Sequence, residues 1–173
     1  MRREGEPIDP SGLEWSRVSP KYLRVRLLGW FLGSLVWLIL ASVPLTLRLT
    51  GVWDSFPPAW IAWALPALAL VQAIWSGLLL PRQVAAIGYA ERNDDLLVRQ
   101  GLFFQRTMVV PYGRMQYVDV AVGPLERAFG ICTLKLHTAS PATNAFIPGL
   151  PTDEGTRLRE QLSARGEARL AGL

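Results

Sequence analysis

The residues that could do chemistry are few in this sequence of 173 residues, and their spacing separates them. It contains one cysteine, Cys132, and one histidine, His137. A structural zinc site needs about four such ligands, so one chain cannot assemble a Cys and His zinc site. Cys132 and His137 are an odd number of positions apart in a segment that alternates like a β-strand, which places them on opposite faces. They cannot act together as nucleophile and base, and we expect a buried Cys132 and a surface His137.

The adjacent carboxylates Asp94 and Asp95 are the other candidate for catalysis. They follow Arg92 and Asn93 in a predicted hairpin turn, and neighbouring strand residues face opposite sides of a sheet. This spacing indicates turn chemistry and not a paired-carboxylate active site. The sequence therefore predicts no enzyme, cofactor, metal site or small-molecule substrate.

The formal net charge of +4 and the pI of about 9.7 could suggest a nucleic-acid partner. Binding to nucleic acid needs a basic patch that neutralises several phosphates together. Here acidic residues are interleaved with basic ones, both before residue 27 and after residue 81. We therefore expect no nucleic-acid binding.

Hydrophobic residues are most concentrated in two runs, at residues 27–47 and 60–80. Each run has 21 residues without a charge, and at about 1.5 Å per residue it spans a hydrocarbon core of roughly 30 Å. The connection at residues 48–59 is long enough only for a tight hairpin. The sequence predicts two transmembrane helices and not a cleaved signal peptide, because 26 residues of mixed charge precede the first run and a second run follows it.

Basic residues flank both runs on the same side of the predicted membrane. In the N-terminal segment at residues 1–26, the basic residues from position 17 onward form a basic collar, which Arg82 joins after the second run, whereas the loop has Arg48 balanced by Asp54. By the positive-inside rule both termini are predicted to be cytoplasmic. The collar is a set of topology anchors or, alternatively, of contacts with anionic lipids. Its members are Arg17, Lys21, Arg24, Arg26 and Arg82. Aromatic residues predicted at the outer interface are Trp53, Phe56, Trp60 and Trp63.

Neither run contains an ionisable side chain, which argues against ion or proton transport by this chain alone. Small residues recur four positions apart, at Gly29 and Gly33 in the first run and at Ala69, Ala73 and Gly77 in the second. This spacing puts them on one helix face, where small residues permit close approach of another helix. The face packs within the hairpin or, alternatively, accepts a helix of a partner.

From residue 83 the hydrophobic pattern changes to a period of two, and residues 83–165 are predicted to form one β domain. A helix from Pro151 to about residue 164 is predicted to cover the strands with Leu158 and Leu162, and to pair Asp153 with Arg157. We expect residues 1–16 to be frayed and residues 166–173 to be a flexible tail. Strands are predicted at residues 84–91, 95–100, 102–110, 115–122, 131–139 and 144–148, the last with Phe146 in the core.

Two interpretations are open for the run Gly123-Pro124-Leu125-Glu126-Arg127. As structure, Gly123 and Pro124 set a turn, while Leu125 and Phe129 pin one helical turn onto the domain. As function, Glu126 and Arg127 present an exposed charge pair to a partner.

Several short motifs recur in the order seen in a known family. They are Val110-Pro111, Gln116-Tyr117-Val118-Asp119-Val120, Gly123 to Arg127, Phe129-Gly130, Leu134-Lys135-Leu136-His137-Thr138 and Ile147-Pro148-Gly149-Leu150. Together with the two spans, they resemble the YdbS-like bacterial membrane proteins with a pleckstrin-homology-like (PH-like) domain. The resemblance implies a mainly β barrel or sandwich of two nearly orthogonal sheets with a C-terminal helix, and association with a membrane protein that bears related domains.

One segment departs from the PH domains that bind phosphoinositides. Those domains place basic residues around the first hairpin, whereas here the turn from Glu91 to Asp95 has three acids and one arginine. Such a turn repels an anionic headgroup. We therefore expect a non-enzymatic interaction module at the cytoplasmic face of the bacterial inner membrane, which assembles with itself or with another membrane protein. The alternative is an anionic-lipid-binding or envelope-stress-related lipid sensor.

Overall fold

The structure, a computed structural model, describes residues 14–53, 57–139 and 144–170. The chain forms two compact units, one of which is Arg24–Pro81 and the other the chain on either side of it. The helices are α1 (Pro20–Leu49), α2 (Ala59–Ala85), α3 (Pro124–Phe129) and α4 (Thr152–Leu170). The strands are β1 (Ser16–Arg17), β2 (Gly88–Glu91), β3 (Asp95–Gln100), β4 (Arg106–Pro111), β5 (Met115–Ala121), β6 (Ile131–Thr138) and β7 (Ala145–Pro151).

Both predicted spans lie within helices that are long and apolar enough to cross a membrane, since α1 has 30 residues and α2 has 27. Their apolar side chains stay exposed, as at Trp37 and Leu78, whereas a soluble protein would bury such residues. A helix is the expected form in lipid because all its backbone groups are satisfied internally. The helices extend beyond the predicted spans, and α2 includes Val84, which was wrongly assigned to a strand.

Four strands form an antiparallel sheet in the order β1-β2-β3-β4. Its inward side chains include Leu96, Val98 and Val110, which are completely buried. Two predictions fail here. Ser16 was predicted to be frayed but is paired with β2, and β4 begins only at Arg106, because residues 102–105 form the turn that follows Gly101.

The second sheet is antiparallel with the order β5-β6-β7. Alternation along β6 buries Cys132, Leu134 and Leu136, as predicted. The two sheets share one hydrophobic core and remain separate, so the domain is a sandwich and not a closed barrel. The predicted fold class is confirmed.

Phe146 was predicted in the core, and this prediction is wrong. Its side chain is 49% exposed, whereas Ala145 and Ile147 are buried. Phe146 pairs with Lys135 of β6, whose side chain faces outward. The register with β6 therefore determines the parity of β7, irrespective of how hydrophobic each residue is.

Helix α4 covers the sandwich with Leu158 and Leu162, both fully buried. It begins at Thr152 and continues through Gly166 to Leu170, so the residues predicted to start a flexible tail are helical. Residues 1–13 and 171–173 lie outside the described part of the chain. The predicted pair of Asp153 with Arg157 is also wrong, because Arg157 bonds Glu154 and Glu91 instead.

Candidate interaction surfaces

The acidic turn after β2 is held by ion pairs from the C-terminal helix. Arg157 Nη2 lies 2.8 Å from Glu91 Oε1 and 2.7 Å from Glu154 Oε1, and Tyr89 donates its hydroxyl to Glu154 at 2.9 Å. Hydrogen bonds to Glu154 and Glu91 raise the pKa of Arg157, and the bond from Arg157 lowers the pKa of Glu154. Burial, followed by the hydrogen bond to Glu154, raises the pKa of Tyr89 to about 12. These charges therefore fasten α4 to the first sheet.

Cys132 and His137 lie on opposite faces of β6, as their spacing predicts. Cys132 is fully buried, and burial followed by the charges of Glu126 and Asp153 raises the pKa of its thiol. His137 is stacked on Tyr117 on the outer face, with ring centroids 4.3 Å apart. A protonated thiol in the core and a stacked imidazole outside it do not form a catalytic pair.

The outer face of the second sheet carries a patch that combines aromatic and charged side chains. Its cross-strand pairs are Tyr117 with His137 and Asp119 with Lys135, and Lys135 is also opposite Phe146. Tyr117 is 56% exposed and Phe146 is 49% exposed. We call this set of five residues the outer-sheet patch. Sequence alternation predicted the outward face of β5 and β6 but placed Phe146 inside.

The helical turn at Gly123–Arg127 separates the two residues of the proposed charge pair. Both carboxylate oxygens of Glu126 are engaged, because Gly123 N donates to Oε2 at 2.8 Å and Thr133 Oγ1 donates to Oε1 at 2.8 Å. Glu126 therefore caps the N-terminus of α3, and the structural interpretation holds for it. Arg127 is exposed. Leu125 is 40% exposed, so it does not pin the turn as predicted.

The residues of the predicted basic collar are all solvent-accessible. Arg17 belongs to β1, Lys21 to the first turn of α1 and Arg82 to the last turns of α2. Arg24 and Arg26 follow on α1 with exposed side chains. Contact with the headgroup region requires this accessibility, for topology anchors and for lipid contacts alike.

The small residues of the two spans divide into two groups. On α2, Ala69, Ala73 and Gly77 are half-buried, and a methyl group added at Gly77 would lie 2.7 Å from a ring carbon of Trp30 on α1. Trp30 Nε1 also donates to Ser76 Oγ at 2.9 Å. Gly29 and Gly33 are exposed, and a methyl group at either would meet no atom within 4 Å. Gly77 therefore packs against α1 within the hairpin, whereas Gly29 and Gly33 face open space.

Replacing Gly77 with leucine is expected to weaken the association of the two membrane helices. The added side chain overlaps the Trp30 ring and displaces it from Ser76, at a cost of about 1–3 kcal/mol. Titration of the full chain from mild detergent into dodecyl sulfate, followed by tryptophan fluorescence, measures this change. Gly33→Leu is the control and leaves the midpoint unchanged; equal shifts for both variants would contradict this packing.

Two membrane-length helices, followed by a two-sheet sandwich with a C-terminal helix, define a membrane protein with a PH-like domain. The sequence profile of the family described as Bacterial PH domain matches residues 24–166, and the chain belongs to this family. It is 30% identical over 149 residues to the UPF0699 transmembrane protein YdbS of Bacillus subtilis (strain 168), an alignment that covers 86% of this chain and 90% of that protein. No solved structure matches the chain significantly. The resemblance drawn from the sequence motifs is confirmed.

Proposed function

We propose that this protein is a non-enzymatic interaction module, anchored by its helical hairpin at the cytoplasmic face of the inner membrane. The excess of Lys and Arg beside the spans supports this orientation. The separation of Cys132 from His137 and the engagement of Glu126 in a helix cap support the absence of catalysis.

The observation that carries the proposal is the outer-sheet patch. Exposed aromatic side chains on a regular sheet are typical of the centre of a protein interface. The patch also presents Asp119 next to Lys135, so it carries both charges within one cross-strand pair. A two-fold contact brings the same surface of two subunits together, and such a patch can pair the acid of one copy with the base of the other. A second copy of this chain is therefore the proposed partner, and the alternative is another membrane protein with a related domain.

Replacing Phe146 with aspartate is expected to dissociate the assembly. A charge at the centre of an apolar contact must be desolvated there, which costs about 2 kcal/mol or more and raises the dissociation constant at least about tenfold. Size-exclusion chromatography with light scattering, on the full chain in mild detergent, measures the protein mass of the particle. We expect a dimer for the wild type and a monomer for Phe146→Asp.

Leu125→Asp is the matched control, because Leu125 is also an exposed apolar residue but lies outside the patch. We expect this variant to remain dimeric. A wild type that is monomeric at all concentrations would overturn self-assembly, and its recovery with a different membrane protein would favour the alternative partner.

A further inference from the structure

The turn between β3 and β4 exposes two adjacent phenylalanines. Phe103 is 73% exposed, and Phe104, at 92%, is the most exposed large hydrophobic side chain among the described residues of the PH-like domain. Isolated exposed hydrophobic residues are common on proteins, but two adjacent and largely exposed aromatic side chains are typical of a surface that meets an apolar phase.

The backbone of this turn is sharply bent and specified by the sequence. Gly101 has φ of +104°, and a methyl group at this position would overlap the carbonyl oxygen of Phe104. Only glycine fits there without distortion. The turn is therefore a defined structure that presents Phe103 and Phe104 at its tip.

The strand register places this turn at the end of the sheet where the chain arrives from the membrane helices. β2 starts at Gly88, three residues after α2 ends at Ala85, so Gly88 lies within roughly 15 Å of Arg82 along the chain. β3 runs back toward this end, and its Arg99 is level with Gly88. Residues 101–105 extend further in the same direction.

The N-terminal side of the domain leads to the same end of the sheet. Arg17 of β1 is paired with Gly88, and α1 starts three residues later at Pro20. Both connections to the transmembrane hairpin thus leave the domain beside the β3–β4 turn. Each connection bridges only three positions, about 10 Å of extended chain, so it cannot carry this end of the sheet far from the membrane helices.

The charged side chains of the first sheet are distributed unequally between its two ends. Exposed Arg17 and Arg106 lie at the end that carries the phenylalanines, where Arg106 is paired with Gln100. The acidic turn is at the opposite end, because Glu91 pairs with Leu96. An anionic bilayer surface attracts the first end more strongly than the second, where Arg92, Arg157 and Arg165 form ion pairs with Asp95 and Glu91 and offset their charge.

We propose that the β3–β4 turn inserts into the bilayer that the chain itself spans. Phe103 and Phe104 enter the interfacial region, and Arg17 and Arg106 contact anionic headgroups, so the domain is held with its acidic turn away from the membrane. This inference goes beyond the proposed assembly and does not depend on it, since it requires only the membrane anchor.

Depth-dependent fluorescence quenching tests the insertion. The probe is an environment-sensitive maleimide dye on Phe104→Cys in the full chain, reconstituted into vesicles of phosphatidylethanolamine and phosphatidylglycerol that contain nitroxide-labelled lipid. The native Cys132 is buried, so the dye reacts at the introduced position. We expect several-fold stronger quenching by the nitroxide lipid than for Asn93→Cys, in the acidic turn, and protection of the dye from aqueous iodide.

Quenching at residue 104 that equals quenching at residue 93 would overturn the proposal. Protection from iodide without quenching by the nitroxide lipid would overturn it too, because it would assign the turn to a protein contact. As a second variant, Phe103→Asp combined with the label at residue 104 is expected to abolish the lipid quenching. Retained quenching would show that the phenylalanine pair does not drive insertion and would also overturn the proposal.

Discussion

Replacing Gly149 with alanine is expected to destabilise the PH-like domain by roughly 2–6 kcal/mol. Gly149 has φ of +70°, which is strained for any residue with a Cβ. The added methyl group would also overlap Cβ and Cγ of Tyr22, in the first turn of α1. That contact cannot relax freely, because Ser19 N donates to Gly149 O at 2.9 Å and holds the two segments together. Strain of about 1–3 kcal/mol and overpacking of about 1–3 kcal/mol therefore add.

Gly130→Ala separates these two contributions. Gly130 has φ of +64°, but a methyl group there would meet no atom within 4 Å. Only the backbone strain remains, and we expect a loss of about 1–2 kcal/mol. Urea unfolding of the full chain in detergent, followed by circular dichroism, measures both variants. Equal losses would contradict the close packing of Tyr22 on β7.

Replacing Leu162 with alanine is expected to cost about 2–5 kcal/mol in the same unfolding measurement. Leu158 and Leu162 are fully buried in the core. They lie on α4, which contacts β5 and β6. The cavity left by the truncated side chain lies beneath the helix that closes the sandwich. The largest losses occur where surrounding atoms cannot collapse into such a space.

Glu160→Ala is the control on the same helix, because Glu160 is exposed and its contact with Arg159 is a 3.8 Å surface pair. We expect a change within about 0.5 kcal/mol for this variant. A Leu162→Ala protein as stable as Glu160→Ala would mean that α4 does not close the core.

Local patterns predicted the membrane spans, the faces of β6 and the existence of the closing helix. An uncharged run of 21 residues, or a strict alternation of hydrophobic and polar residues, depends only on residues that are close in sequence. Such patterns were therefore sufficient to predict these elements. The same patterns were insufficient where a distant segment decides the outcome. Phe146 faces outward because of its register with Lys135, and Arg157 pairs with Glu91 because α4 crosses the end of β2.

The candidate surfaces were harder to predict than the fold. The apolar residues Leu102, Phe103 and Phe104 were assigned to a strand, because a short hydrophobic run does not reveal its exposure. The pairing of β3 with β4 leaves this run in the turn. Among the small residues of the spans, the sequence could not distinguish Gly77, which contacts Trp30, from Gly29 and Gly33, which are open.

Cross-linking in native membranes tests the central claim, self-assembly through the outer-sheet patch, most directly. Asn144→Cys introduces an exposed thiol two positions before Phe146, which stays in place, into a chain whose own cysteine is buried, and a flexible bismaleimide joins two such thiols when their domains are in contact. We predict a covalent dimer for Asn144→Cys, its loss when Tyr117→Asp is added, and no dimer for Leu125→Cys. An Asn144→Cys protein that stays monomeric, while its thiol reacts fully with a monofunctional maleimide, would contradict the account.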